Sequence, residues 1–224
     1  MKELWVEKYR PSKLTEYVGN EHLKDKVKDY LESGEIPHLL FFGKAGTGKT
    51  TLAKLIVNSI DCDHIIINAS DENSVDTVRD KVKGFASTLG FQSLKVIILD
   101  ECDYITPNAQ AALRNLMETF SRHCRFILTC NYPHKIIPAL HSRCQGFHIE
   151  KVDHTEFTAR AATVLVTEGV EFDIDTLDSY VKATYPDLRK CLNLLQMNTV
   201  DLKLKRPSET GTGTADYKLA MVDL

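Results

Sequence analysis

No stretch of this sequence runs for the roughly 18 uncharged apolar residues that a membrane-crossing helix needs. The longest apolar runs, such as residues 96–99, are the size of a strand. The N-terminal Met1-Lys2-Glu3-Leu4-Trp5 lacks the apolar core of a secretion signal. Six cysteines (62, 102, 124, 130, 144 and 191) include no CxxC pair and sit scattered in apolar segments. That argues against a structural zinc site and for a reduced, cytoplasmic chain with no membrane partner. A large charge excess is missing too: 28 Lys and Arg against 31 Asp and Glu leave a net charge of −3. An indiscriminately basic nucleic-acid binder is thereby excluded, but a local basic surface is not, because binding follows the local field. With 43% hydrophobic and 26% charged residues over 224 positions, the composition is that of a globular protein: one large domain, or one with a small companion.

Continuous apolar runs at 38–42, 64–68, 95–99, 125–129 and 146–149 read as strands of a parallel sheet covered on both faces. Amphipathic stretches at 49–59, 75–88 and 108–120 lie between them, the last announced by Thr106 as N-cap and Pro107 at the first helical position. The alternation predicts an α/β, doubly wound core over residues 1–150. From residue 151 the strands stop. Helical patterns at 155–167, 175–183 and 187–198 predict a small all-α domain over 151–203. Residues 206–214 (RPSETGTGT) read as a linker, so 204–224 is expected to be a linker plus the truncated start of a further segment.

The run Gly43-Lys44-Ala45-Gly46-Thr47-Gly48-Lys49-Thr50 follows a strand and opens a helix, which is GxxxxGK[ST] in the context it requires. Glycines let backbone N–H groups wrap a polyphosphate, and the helix N-terminus adds partial positive charge. Lys49 is placed to reach the β- and γ-phosphates, and the Thr50 hydroxyl to sit on Mg²⁺. The strand at 96–99 ends in Asp100-Glu101, two carboxylates at the sheet edge where open α/β folds bind ligands. Asp100 is the second metal candidate, and Glu101 a general base for the attacking water. Asp103, in Asp100-Glu101-Cys102-Asp103, reads as structural. Asn131, ending the next strand, is either a hydrogen-bond donor to the γ-phosphate or simply the start of a Tyr-Pro turn. Arg143 and Arg189 could each supply charge to a γ-phosphate; taken singly, either is more often a solvated surface group.

Several further motifs carry a resemblance. Trp5-Val6-Glu7-Lys8-Tyr9-Arg10-Pro11 and Tyr17-Val18-Gly19-Asn20 precede the phosphate loop. Asn68-Ala69-Ser70-Asp71, Ala111-Ala112-Leu113-Arg114, Ser142-Arg143-Cys144 and the run from Asp187-Leu188-Arg189 to Gln196 follow in order. Over about residues 4–198 the chain resembles sliding-clamp-loader small subunits, the replication factor C small-subunit branch of the AAA+ ATPases. It is also similar to the bacteriophage large-copy loader subunit.

That resemblance implies an AAA+ core followed by a helical lid, with the family's helical collar expected to be absent. It implies ATP and Mg²⁺ as cofactors. Val6 and Val18 then line the adenine pocket, and Gly43 to Thr51 (Gly43, Lys44, Ala45, Gly46, Thr47, Gly48, Lys49, Thr50 and Thr51) hold the triphosphate. Asn131 is the first sensor and Arg189 the second. Arg143 is the finger offered to a neighbouring subunit's ATP. Asn68 is a candidate for the switch that restrains Glu101 until DNA binds. Arg79, Lys83 and Lys135 fall at positions that face primer–template DNA and contact its phosphates; on charge spacing alone, the i,i+4 pair Arg79 and Lys83 is an ordinary solvated helix face. Asn73 stands where cellular relatives often carry Arg. The implied partners are other loader subunits in a pentamer, a sliding clamp and primed DNA, and the implied activity is ATP hydrolysis coupled to clamp loading. The alternatives are a non-hydrolysing scaffold subunit and a different AAA+ DNA remodeller.

Overall fold

The computed structural model describes residues 3–71, 75–88, 90 and 92–207. Asn73 and the linker positions 208–214 lie outside them. No helix among the described residues is long and apolar enough to cross a membrane. The chain separates into two compact units, one of residues 20–150 and one joining 1–19 to 151–224.

The first unit alternates α2 (Glu21–Ser33), β1 (Leu39–Phe42), α3 (Lys49–Ser59), β2 (Cys62–Asn68), α4 (Val75–Ser87), β3 (Leu94–Asp100), α5 (Pro107–Thr119), β4 (Cys124–Cys130), α6 (Pro138–His141) and β5 (Gln145–His148). The label α1 belongs to Trp5–Lys8 in the other unit. All five strands run parallel in the order β2-β3-β4-β1-β5. Central β3 and β4 need apolar residues on both pleats because helices cover both faces; Val96, Ile97, Ile98 and Leu99, with Phe126, Ile127 and Leu128, are fully buried accordingly. α5 begins as its sequence demands, with the Thr106 hydroxyl accepting from the Ala109 N–H (3.3 Å) and Pro107 in the first turn. Helix α2 adds to the sequence expectation. It buries only Leu23 and Val27 among charged neighbours, so its apolar stripe is too thin to stand out in the sequence.

In the second unit, α1 packs with α7 (His154–Thr167), α8 (Ile174–Thr184) and α9 (Leu188–Met197) around Trp5, Phe157, Leu165, Tyr180 and Leu195. Each of the three long helices starts on an aspartate, Asp153, Asp173 or Asp187, whose carboxylate accepts N–H bonds of the first turn. The sequence reading set the N-terminal box ahead of the phosphate loop in one domain. Here its backbone is tied to helices of the C-terminal half: Trp5 N–H donates to Gln196 Oε1 (2.9 Å), and Arg160 Nη2 donates to the Tyr9 carbonyl (2.9 Å). A hairpin of two-residue strands, β6 (Thr199–Val200) and β7 (Lys203–Leu204), adds to the helices.

Candidate nucleotide site

Parallel strands end together, so the loop after β1, the carboxylates ending β3 and the residue following β4 share one edge of the sheet. Phe42 is registered against Cys130, and β4 lies between β1 and β3. The loop itself is shaped by glycine. Gly43 has φ +151°, and a Cβ there would come within 2.4 Å of the Ile149 carbonyl oxygen. Gly48, at φ +94°, caps the eleven-residue α3 that opens at Lys49. The Thr47 hydroxyl donates to the Lys44 carbonyl (2.9 Å), closing the turn. The Lys49 ammonium is buried and donates to the carbonyls of Gly43 (3.0 Å) and Lys44 (2.7 Å), which fixes it inside the loop. Lys44 and Ala45 are exposed; Gly46 and Thr51 are half-buried.

Beside the loop, the Thr50 hydroxyl lies 2.7 and 2.9 Å from the two carboxylate oxygens of Asp100. Thr129, fully buried in β4, donates its hydroxyl to Asp100 Oδ1 and accepts the Glu101 N–H (3.1 Å). Glu101 itself takes a left-handed backbone, φ +55° and ψ +41°. That conformation is costly for a residue with a side chain and is typical of functional turns. The sequence reading gave Thr129 no role; its signal was a lone hydroxyl next to the buried apolar run Phe126-Ile127-Leu128. The Thr50–Asp100 donor set is hard oxygen only. That fits Mg²⁺, which takes one or two protein oxygens and fills its remaining positions with phosphate and water.

Asp103 is buried and accepts the N–H groups of Asn131 (3.2 Å) and Tyr132 (3.1 Å), the structural part the sequence assigned to it. Asn131 is thereby fixed at the site edge by its backbone. Gln110, also missed from the sequence, is 1% exposed and clamps the following loop: it donates to the carbonyls of Ile105 (3.1 Å) and Lys135 (2.9 Å) and accepts the Ile137 N–H (2.8 Å). Hydrogen bonding to Cys130 and burial raise the Cys102 thiol pKa, and burial pushes Cys144 up to about 12. Both stay protonated and unreactive at neutral pH.

Asn68, the proposed switch, bonds locally: Nδ2 donates to Asp71 (2.8 Å), and Oδ1 accepts from the Ser70 N–H and hydroxyl. Arg114 bonds Asn115. Arg79 and Lys83 are exposed on α4 beside its buried stripe of Val78, Val82 and Ala86. Lys135 is exposed, with its ammonium 4.9 Å from the centre of the Tyr132 ring. Val6, Val18 and Arg189 belong to the other unit. Val6 and Val18 are half-buried, and Arg189 is exposed in the first turn of α9.

Arg143 sits elsewhere. β1 and β5 pair in parallel, with Leu39 against Gln145 and Phe42 against His148. The phosphate loop leaves β1 at Phe42, whereas Arg143 precedes β5 at Gln145, the opposite end of the ladder. At about 3.3 Å per residue, the strand alone separates those ends by roughly 10 Å. Arg143 Nη1 donates to the Ala139 carbonyl (3.1 Å), and Nη2 pairs with the Glu118 carboxylate in the last turn of α5.

A parallel sheet with a glycine-rich loop running into a helix, and a hydroxyl–carboxylate pair beside it, defines a phosphate-binding-loop nucleotide-binding protein. The chain belongs to the ATPase family associated with various cellular activities (AAA), whose family model matches residues 39–151. It is 42% identical over 200 residues to the replication factor C small subunit of Halobacterium salinarum, covering 87% of this chain and 62% of that one. To the replication factor C small subunit of Archaeoglobus fulgidus it is 43% identical over 201 residues, covering 87% and 63%. The chain thus spans less than two thirds of these relatives. In fold it is similar to the Thermotoga maritima RuvB Holliday junction branch migration motor, with a TM-score of 0.72 at 17% identity over 96% of this chain and 72% of that one.

Proposed function

We propose that the chain is an ATPase subunit of a DNA-polymerase sliding-clamp loader, coupling ATP binding and hydrolysis to placing a clamp on primer–template DNA. The similarity to replication factor C small subunits supports the assignment of system. The observation that carries the mechanism is the position of Arg143 at the sheet edge opposite its own phosphate loop. An arginine there serves a neighbour's nucleotide far more readily than its own, so hydrolysis depends on assembly with other loader subunits in a ring.

Within one subunit, Lys49 meets the β- and γ-phosphates, and backbone N–H groups of residues 43–51 wrap the polyphosphate. Thr50 and Asp100 would hold Mg²⁺, which would neutralise charge developing on the phosphates. Thr129 keeps Asp100 oriented and fixes the backbone from which Glu101 extends to take the proton of the attacking water. Asn131 orients that water or the γ-phosphate. Val6, Val18 and Arg189 are assigned to the nucleotide by the resemblance to clamp-loader small subunits, the two valines to the adenine and Arg189 to the γ-phosphate. Arg79, Lys83 and Lys135 bind DNA phosphates, a contact without base information. The resulting work is cytoplasmic and independent of membranes.

The test is ATP turnover by the subunit reconstituted with its loader partners, with and without clamp and primer–template DNA. Stimulation by clamp and DNA together is expected. Absence of turnover in the complete mixture would leave the scaffold alternative, and stimulation by branched DNA without a clamp would indicate a different remodeller. Mixing subunits carrying Arg143→Ala with subunits carrying Lys49→Ala should restore turnover at interfaces that pair an intact loop with an intact arginine. Mixed rings with no recovery would overturn the neighbour-donated arginine.

A further inference from the structure

We infer that Glu118 is the positioning residue for Arg143, holding the guanidinium ready for the neighbouring nucleotide; the inference rests on the proposed role of Arg143. Helix α5 starts at the nucleotide edge of the sheet and runs back to the start of β4, so its last turn brings Glu118 to the edge where Arg143 stands. Two acceptors then grip one guanidinium from two sides. The Ala139 carbonyl, in the last turn of α6, takes Nη1, and the Glu118 carboxylate takes Nη2. The backbone beneath is fixed as well, with the Arg143 N–H donating to the Leu140 carbonyl (3.1 Å). Nε and one N–H of each terminal nitrogen are left over by these two bonds.

The pair is partly exposed, at 31% for the Arg143 side chain and 49% for Glu118. An ion pair that open contributes little to folding. It is therefore poor as a structural staple, and too weak as a latch to keep Arg143 from a triphosphate. Its consequence is geometric. Arginine is a long side chain with high rotamer entropy, and fixing its plane beforehand reduces what must be ordered when the neighbour docks.

The experiment measures kcat and KM for ATP in the reconstituted loader with clamp and primed DNA, using E118A, E118Q, R143A and the double variant E118A/R143A. Glu118→Ala should lower kcat about 10- to 100-fold, the cost of a misplaced catalytic group, with KM for ATP unchanged because the phosphate loop is untouched. Glu118→Gln keeps an acceptor of the same shape and should recover most of the loss. The double variant should be no slower than R143A alone, since Glu118 acts only through Arg143. If R143A turns over normally, the role of Arg143 itself is wrong. If R143A is slow while E118A and E118Q are both normal, or if the two losses multiply in the double variant, the positioning role of Glu118 is refuted. Thermal melting of E118Q guards against a folding defect: a large drop in its melting temperature would mark the pair as a structural staple and likewise overturn the inference.

Discussion

Thr129 and Asp100 share a hydrogen bond across neighbouring strands, and the same Thr129 hydroxyl accepts the N–H of Glu101. One buried side chain thus orients the carboxylate proposed to hold the metal and pins the strained residue beside it. Thr129→Val keeps the shape and removes both bonds. We expect kcat to fall at least 10-fold and the fold to lose about 1–3 kcal/mol, the cost of an unpaired buried donor. Thr129→Ser should stay near the parent in both. Equal turnover in the Val variant would refute the coupling.

Lys49 and Glu101 should fail in different ways. Lys49→Ala removes the cation held within the loop and should abolish tight ATP binding. Glu101→Gln keeps the shape, loses the base, and should bind ATP with near-normal affinity while turnover stops. Nucleotide titration separates the two, and an equal loss of affinity in both variants would contradict this division.

Gln110→Ala would strand two carbonyls and one N–H, of Ile105, Lys135 and Ile137, in a buried setting. A loss of about 2–4 kcal/mol is expected from such unpaired groups. Urea unfolding of the isolated chain measures it, and a loss below about 1 kcal/mol would mean that the loop rearranges to find other partners.

Stability should also fall in mild acid through His38. Burial, and then the nearby Arg125 guanidinium, hold its pKa down to about 4 from the ordinary 6.5. The neutral ring is specifically used: Nδ1 accepts the Phe126 N–H (3.1 Å). Above the ordinary value both native and unfolded chains carry a neutral His38. Below it the unfolded chain binds a proton that the native ring refuses, so stability is lost between about pH 6.5 and pH 4. Urea midpoints at about pH 7 and about pH 5 should differ less in His38→Asn than in the parent. An identical decline would assign the acid sensitivity to other groups.

DNA contact is tested by salt. Neutralising Arg79, Lys83 or Lys135 in the assembled loader should weaken binding about equally for all sequences and reduce the salt slope by about one per residue. An unchanged slope in the triple variant would return these residues to an ordinary solvated surface.

The sequence alone determined the sheet, the phosphate loop and the carboxylates at the end of β3, because each is a local pattern: continuous apolar runs for strands covered on both sides, glycines where φ must be positive, acids at a strand end. It determined the three capped helices of the C-terminal half for the same reason. Thr129, Gln110 and Glu118 were not legible. Each bonds partners 25 to 29 positions away in the chain, Gln110 in addition to its nearby bond to Ile105, and a lone threonine, glutamine or glutamate carries no local signal of such a bond. The packing of residues 3–19 with the C-terminal helices was hidden likewise, since Trp5 bonds Gln196, 191 positions further along the chain. The edge on which Arg143 stands was also a tertiary decision. The motif Ser142-Arg143-Cys144 names the residue, but only parallel pairing of β5 with β1 puts it at the end of the sheet away from its own phosphate loop.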